Sequence, residues 1–420
     1  MKQPKIAIIH DWLTSMGGAE PVVLELSKLY PNAPIYTSVY DKKAAKPFNE
    51  KDVRTTYLQK VLPSFVRYKH VLWPVLRSFA FRKLDLDEYD LIISSSSAEA
   101  KSVRKRPDAK HICYCHTPTR YYWSHYDEFK REFNFGILTP IIRPFIPLFV
   151  RWMRKKDLQS IKGIDLFIAN SNVTKGRIKK YYGRDAAVVY PPVETKRFIG
   201  KNNPDRDGYI LWGRHVPYKR YDLAIEACNR LGIKLIVIGN GPDTSRLKKL
   251  AGPTITFTGR IGDKELVDLA HSAKGFLFPN EEDFGIVAVE AMAAGLPVIA
   301  YKKGGALDIV EDGVTGIFFD EQSVDGLVQA IEKREVTDFS YNTLVQRSKR
   351  FDTNLPSSPI TITKNPRPMI NQPNETIATV LSQSLRSIVR FSLGTFIERF
   401  CHTSAQNIAA SSVAASPYQG

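Results

Sequence analysis

The stretch Phe278-Pro279-Asn280-Glu281-Glu282-Asp283-Phe284-Gly285-Ile286-Val287-Ala288-Val289-Glu290 runs from an apolar strand, through three consecutive acids, into an apolar helix. The strand pattern covers 275–278 and the helix pattern 286–294. Gly295 then supplies the position just past the last turn, and Pro297 opens the next strand. Strand, polar loop and helix in this order form the unit of a doubly wound parallel sheet, whose ligands bind beyond the carboxyl ends of the strands. The helix N-terminus offers free N–H groups and a positive dipole end, which suits a diphosphate. Glu282 falls in the loop and Glu290 on the helix. A carboxylate only accepts hydrogen bonds and can take both hydroxyls of a ribose or hexose diol. Glu290 is not an ordinary solvated acid, because Val287, Ala288, Val289, Ala291, Met292, Ala293 and Ala294 make its helix apolar nearly all round.

The same unit repeats outward from this stretch. Strand patterns at 209–212, 234–238, 255–258, 275–278, 297–301 and 316–319 alternate with helical patterns at 221–231, 263–273, 286–294 and 324–333. The N-terminal half has the same habit, with a strand at 5–10, a helix at 20–30, and strands at 91–94, 111–115, 166–170 and 187–190. The chain is therefore read as α/β, with two Rossmann-like domains at 1–195 and 207–350. Pro191-Pro192 and the polar run Gly200-Lys201-Asn202-Asn203-Pro204-Asp205 mark the connection. From 353 the pattern stops. Prolines interrupt 355–368, Ile377, Leu381, Leu385, Ile388, Phe396 and Phe400 give a loose stripe, and the end is small and polar. This atypical tail, 353–420, is expected to be partly disordered; a membrane-surface helix and a frameshifted coding sequence both fit it.

Composition bounds the function. With 420 residues, 43% hydrophobic and 25% charged, the chain is neither fibrous nor disordered as a whole. No apolar run approaches the roughly eighteen residues of a bilayer span, and the start lacks the pattern of a signal peptide. Four cysteines without metal-like spacing (Cys113, Cys115, Cys228, Cys401) suit a reducing compartment. The net charge of +17 is uneven. Residues 1–200 hold 35 Lys+Arg against 19 Asp+Glu, whereas 201–352 hold 20 against 22. A basic first half can face nucleic acid, an anionic membrane or a phosphorylated substrate.

Other motifs fall where ligands bind. In Gly213-Arg214-His215-Val216-Pro217-Tyr218-Lys219-Arg220, which follows a strand, Arg214 and Lys219 can both reach a diphosphate and neutralise a departing phosphate. Gly17-Gly18, in His10-Asp11-Trp12-Leu13-Thr14-Ser15-Met16-Gly17-Gly18-Ala19-Glu20, permits close backbone approach without matching a nicotinamide fingerprint. His116 ends the strand at 111–115 and is placed to bond a sugar hydroxyl, although a lone histidine is more often structural. Cys113 and Cys115 read as packed inside. Asp85-Leu86-Asp87 has metal-binding spacing but lies in a mixed-charge run that reads as a solvated loop. The apolar segment 135–152, broken by Pro140, Pro144 and Pro147, leads into Arg151, Arg154, Lys155 and Lys156. It reads equally as a membrane-surface segment and as an irregular lid.

Taken together, these motifs resemble the retaining glycosyltransferases of family 4, group 1, which have the GT-B fold of two Rossmann-like domains facing a central cleft. The resemblance rests on Glu282–Glu290 with Phe284-Gly285 inside it, and on Gly213-Arg214…Lys219. His-Asp-Trp-Leu…Gly-Gly-Ala-Glu at 10–20 and Cys-His-Thr-Pro-Thr-Arg-Tyr at 115–121 are similar to bacterial mannosyltransferases of polysaccharide assembly. By position, it implies that Arg214 and Lys219 grip the nucleotide diphosphate and Glu290 holds the ribose. Glu282 and His116 would contact the donor sugar, and Gly17 and Gly18 would approach the phosphates, with Phe284, Gly285 and Ile286 completing the nucleotide site. The expected donor is GDP-mannose, with no metal and no further cofactor, and the expected acceptor a lipid-linked or other glycan. The protein is then cytoplasmic and peripheral on the inner face of the plasma membrane. A UDP-sugar transferase, an epimerase of similar architecture, and a non-catalytic basic protein for membranes or nucleic acid are the alternatives. Nucleic acid is disfavoured, because no aromatic–basic RNA-binding motif is present. The family's closing helix is not evident after 348–352.

Overall fold

The structure, a computed structural model, describes residues 4–67, 73–124 and 143–353 with the isolated positions 126, 130 and 139. The tail 353–420 lies outside the described residues from 354 onward, as does most of 125–142. Two parallel sheets account for the rest. The first contains β1 (Ile6–His10), β2 (Ile35–Thr37), β3 (Val53–Thr55), β4 (Leu91–Ser96), β5 (Lys110–Cys115), β6 (Leu166–Ala169) and β7 (Ala186–Val188), in the order β3-β2-β1-β4-β5-β6-β7. The second contains β8 (Tyr209–Trp212), β9 (Leu235–Ile238), β10 (Ile255–Gly259), β11 (Gly275–Phe278), β12 (Val298–Tyr301) and β13 (Gly316–Phe319), in the order β10-β9-β8-β11-β12-β13. Each order reverses once, between β1 and β4 and between β8 and β11, and such a reversal opens a crevice for ligand.

The strands form where apolar β-branched runs can be buried on both faces by crossover helices. Ile8, Ile9, Ile92, Ile112 and Phe167 fill the first core, and Ile210, Leu211, Val237, Leu277, Val298 and Ile299 the second. Helix ends follow local chemistry. The Ser171 hydroxyl accepts from the Thr174 N–H at 3.1 Å to start Asn172–Tyr182, which stops at left-handed Gly183. The Ser323 hydroxyl does the same for Val324–Glu335.

The sequence reading missed β2 and β3, which have three residues each and too little length to show a period. It also missed Pro74–Arg82, Asn172–Tyr182, Thr244–Leu250 and Tyr341–Ser348 as helices. The irregular-lid reading of the proline-broken segment fails over Ile146–Ser160, which is one helix. Pro147 sits in its first turn, where the missing N–H costs nothing. Among the described residues no helix is long and apolar enough to cross a membrane. Val193 and Phe198, in the stretch around the connection, are buried in the second core. Val193 pairs there with Asp352 as the last described residues return alongside it.

Candidate functional site

The second lobe contributes a loop and a helix start. β11 ends at Phe278, and the chain then turns through 279–285 into the helix Ile286–Ala293. Gly285 is required at the turn. Its φ is 109°, and a Cβ there would stand 2.8 Å from Phe278 Cζ. The predicted helix end at 294 is observed at Ala293. Behind the loop, the Gly305 N–H donates to the Glu282 carbonyl at 2.8 Å. A Cβ on Gly305 would meet the Phe284 carbonyl oxygen at 2.1 Å, so the two backbones are pressed together.

The structure joins Lys219 to Glu282. The Lys219 ammonium contacts Glu282 Oε1, which also accepts from Asn280 Nδ2 at 2.9 Å. Among the described residues Glu282 Oε2 has no partner and is left for a ligand. Burial first, and the Arg120 guanidinium second, push Lys219 down to about 7. The Glu282 carboxylate that it touches favours the charged form. Arg214 is exposed beyond β8 and makes no ion pair among the described residues. The short 3-10 turn Pro217–Lys219 between them ends at Arg220, the one non-glycine described with positive φ, at 52°.

Glu290 lies one turn into the helix Ile286–Ala293, mostly buried. Its Oε2 accepts from Trp212 Nε1 at 3.0 Å and its Oε1 from Arg197 Nη2 at 3.3 Å. Burial raises its pKa, and these two donors oppose that rise. Trp212 is in turn fixed against Phe276, with ring centres 4.4 Å apart, and stacked on Phe198. The sequence offered no role for Trp212 or Arg197, because neither belongs to a spaced motif. Phe284 does not face a ligand. Its ring is buried against Tyr190 and Phe351, with centres 5.6 and 5.4 Å away, which leaves its side chain closed to a ligand.

Across from this lobe, the first sheet presents the ends of β1, β4 and β5. His10 Nδ1 donates to the Ser95 carbonyl at 3.0 Å, and its Nε2 lies 3.8 Å from Glu20 Oε1. The other Glu20 oxygen accepts from the Gly17 N–H at 2.8 Å, which pins the glycine turn to the first helix, Glu20–Leu29. Burial alone would lower the His10 pKa, yet Glu20 and Asp11 lift it above its ordinary value. Asp11 accepts the N–H groups of Ser97, Ala98 and Ala100 at 2.6, 3.0 and 2.7 Å, which fixes the turn after β4. His116 Nε2 bonds Ser95 Oγ at 2.7 Å, and burial followed by the nearby His10 pushes it down to about 4. It is therefore a neutral imidazole at the C-terminal edge of the sheet. The two lobes meet here: a Cβ on Gly18 would stand 3.4 Å from Ile286 Cδ1, so the glycine turn faces the start of the second-lobe helix.

A further contact between the lobes escaped the sequence reading. Arg120 and Arg177 of the first lobe both bind Asp283, and Arg177 also binds Glu281 at 2.6 Å. Arg120 lay inside a quoted motif and Asp283 inside the acidic run, but separations of 163 and 106 residues leave no local signal. Asp85 and Asp87 lie in an exposed loop, and among the described residues no group of His, Cys, Asp and Glu is arranged to hold a metal. Cys113, Cys115 and Cys228 are buried thiols.

Comparisons with known proteins agree with this architecture. The sequence model for Glycosyltransferase Family 4 matches residues 16–197, and that for Glycosyl transferases group 1 matches 192–350. A GDP-mannose-dependent alpha-(1-6)-phosphatidylinositol monomannoside mannosyltransferase of Mycobacterium tuberculosis is 31% identical over 202 residues, 40% of this chain and 52% of that protein. A sulfoquinovosyl transferase of Arabidopsis thaliana is 33% identical over 141 residues, 32% of this chain and 28% of that protein. The chain spans about half the length of the curated relatives it matches first. Among solved structures, Anabaena HepE in complex with UDP and glucose superposes with a TM-score of 0.59 at 19% identity, covering 83% of this chain and 96% of its own. Sucrose-phosphate synthase from Thermosynechococcus elongatus gives 0.60 at 17% identity, covering 83% and 95%. With the first lobe matched by one model, the second by the other, and two doubly wound sheets facing each other across the glycine turn, the chain belongs to the group 1 glycosyltransferases of GT-B fold.

Proposed function

We propose that this chain is a retaining hexosyltransferase that moves mannose from GDP-mannose to a lipid-linked or glycan acceptor in cell-surface polysaccharide synthesis. The observation that carries the reading is the grouping of Lys219, Glu282 and Glu290 around the start of Ile286–Ala293, with Gly18 opposite. Glu290 takes the ribose hydroxyls, the free Oε2 of Glu282 takes a donor-sugar hydroxyl, and Lys219 with Arg214 meets the diphosphate. The acceptor oxygen bonds to the anomeric carbon on the face from which the diphosphate leaves. The acceptor proton passes to the departing phosphate oxygen, so no protein nucleophile is needed. In this reading the two cations neutralise the leaving group without a metal ion. Mannose and GDP are supported by the names of the M. tuberculosis relatives at about 31% identity. A UDP-sugar would meet the same ribose and diphosphate groups.

A membrane-borne acceptor suits the helix Ile146–Ser160. Phe145, Leu148, Phe149 and Trp152 form an exposed stripe at helical spacing, 64, 69, 42 and 40% exposed, beside Arg151 and Lys155. The test is release of GDP from GDP-mannose in the presence of membrane lipid extract, with a panel of UDP-sugars alongside. Turnover with GDP-mannose alone, abolished in Arg214→Ala, is the expected result. Turnover only with a UDP-sugar overturns the donor, and unchanged turnover in Arg214→Ala overturns the site.

A further inference from the structure

The loop 279–285 is held from two sides. Gly304 and Gly305 press on it from within its own lobe, where a Cβ on Gly304 would meet the Glu282 carbonyl oxygen at 2.4 Å. From the other lobe come two arginines. Arg177, on the helix Asn172–Tyr182, donates through Nη2 to Glu281 at 2.6 Å and contacts Asp283 through Nη1. Arg120, just beyond β5, donates through Nε to Asp283 Oδ2 at 3.0 Å and reaches the same oxygen with Nη2. Asp283 and Arg177 are nearly enclosed, with 9 and 12% of their side chains exposed. Forked guanidinium contacts of this kind fix orientation as well as distance. Glu282 is the residue between the two clasped acids, and its side chain turns instead to Lys219 and Asn280 of its own lobe. The Arg120 guanidinium also lies 5.7 Å from the centre of the Tyr218 ring, next to Lys219 in sequence.

We propose that Arg120 and Arg177 are positioning residues for transfer: by clasping Asp283 and Glu281 they set the intervening Glu282 in register for the donor sugar, so that the first lobe completes a donor site built on the second. The proposal rests on the hexosyl-transfer reading above. The ribose contact of Glu290 stands on a helix buried in its own lobe and does not depend on the clasp, so the nucleotide alone binds with or without it.

The test compares Arg177→Glu with the exchange pair R177E/E281R, which restores opposite charges between positions 177 and 281 and leaves Asp283 to Arg120 alone. In Arg177→Glu, kcat/KM for the nucleotide sugar is expected to fall at least tenfold, while the affinity for GDP alone changes less than threefold. The amides of 279–285 are expected to exchange hydrogen at least tenfold faster. The exchange pair is expected to recover part of both losses, at least threefold in each. Unchanged exchange in Arg177→Glu, a pair no better than the single variant, or loss of GDP affinity equal to the loss in kcat/KM each overturns the proposal. Hydrogen exchange judges the clasp without substrate, so a wild-type chain that turns over no nucleotide sugar overturns the transfer reading alone.

Discussion

Replacing Glu290 with glutamine keeps the shape of the side chain and removes its charge, which makes it the sharpest probe of the proposed ribose contact. A carboxylate has about four acceptor positions. In the structure Trp212 Nε1 occupies one at 3.0 Å and Arg197 Nη2 another at 3.3 Å. Two remain, the number that a ribose diol requires. The amide keeps one oxygen, which Trp212 already claims, and presents an N–H₂ that cannot accept. Hydrogen bonds to a charged group are worth about 1.5–3 kcal/mol, so GDP should bind about ten- to 150-fold more weakly to Glu290→Gln. Calorimetric titration with GDP measures this, and pyrophosphate, which has no ribose, serves as the control and should bind both proteins alike. The melting temperature should not fall, because burial already disfavours the charged form of Glu290. Unchanged GDP affinity, or an equal loss for pyrophosphate, would show that this carboxylate does not hold the ribose.

Two further outcomes test the fold around the site. Gly305→Ala places a methyl 2.1 Å from the Phe284 carbonyl oxygen and 2.3 Å from its Cα, where no side chain can swing aside. It should cost about 1–3 kcal/mol and lower the melting temperature by several degrees, whereas Gly262→Ala, with nothing within 4 Å, should leave it unchanged. Acid should destabilise the first lobe through His111 and His116, both held at about 4 by burial. Their folded pKa values lie below the unfolded value of about 6.5, so their contribution is complete above that pH and is lost as pH falls toward 4. At pH 5 the loss is about 2 kcal/mol for each histidine, and the raised His10 offsets part of it. Chemical denaturation at pH 7 and pH 5 checks this: in His111→Gln the drop between the two should shrink by about 2 kcal/mol, and an unchanged drop refutes the assignment.

Much of the fold was legible because its signals are local. The second lobe has strands of four or five residues separated by helices, and the strands and helices read there from the pattern fell within one or two residues of those observed, although the helices Thr244–Leu250 and Tyr341–Ser348 were not read. The first lobe was harder, since β2 and β3 have three residues each and Asn172–Tyr182 is a largely polar helix that hydrophobic periodicity does not mark. In the site, Glu282, Glu290 and Lys219 stood out because strand ends and helix starts are visible in the chain. That Lys219 reaches Glu282, or that Trp212 reaches Glu290, depends on which strands are neighbours. β8 lies beside β11 only through the reversal of strand order. The burial of the Phe284 ring was hidden for the same reason: its partners Tyr190 and Phe351 come from far along the chain. Arg120, Arg177 and Asp283 could be found only once the lobes were placed face to face.

Five successive residues, Glu281 to Gly285, each have neighbours of their own: Arg177 for the first, Lys219 for the second, Arg120 with Arg177 for the third, the Tyr190 and Phe351 rings for the fourth and the Phe278 ring for the last. Such a segment has no spare letter. Inserting or deleting one residue would hand every side chain its neighbour's task, leaving an acid among the aromatic rings or a phenyl group before the two arginines. The segment can therefore drift neither in length nor, at most positions, in residue type. New sugar or acceptor preferences in descendants of this protein would have to arise in the walls that surround it.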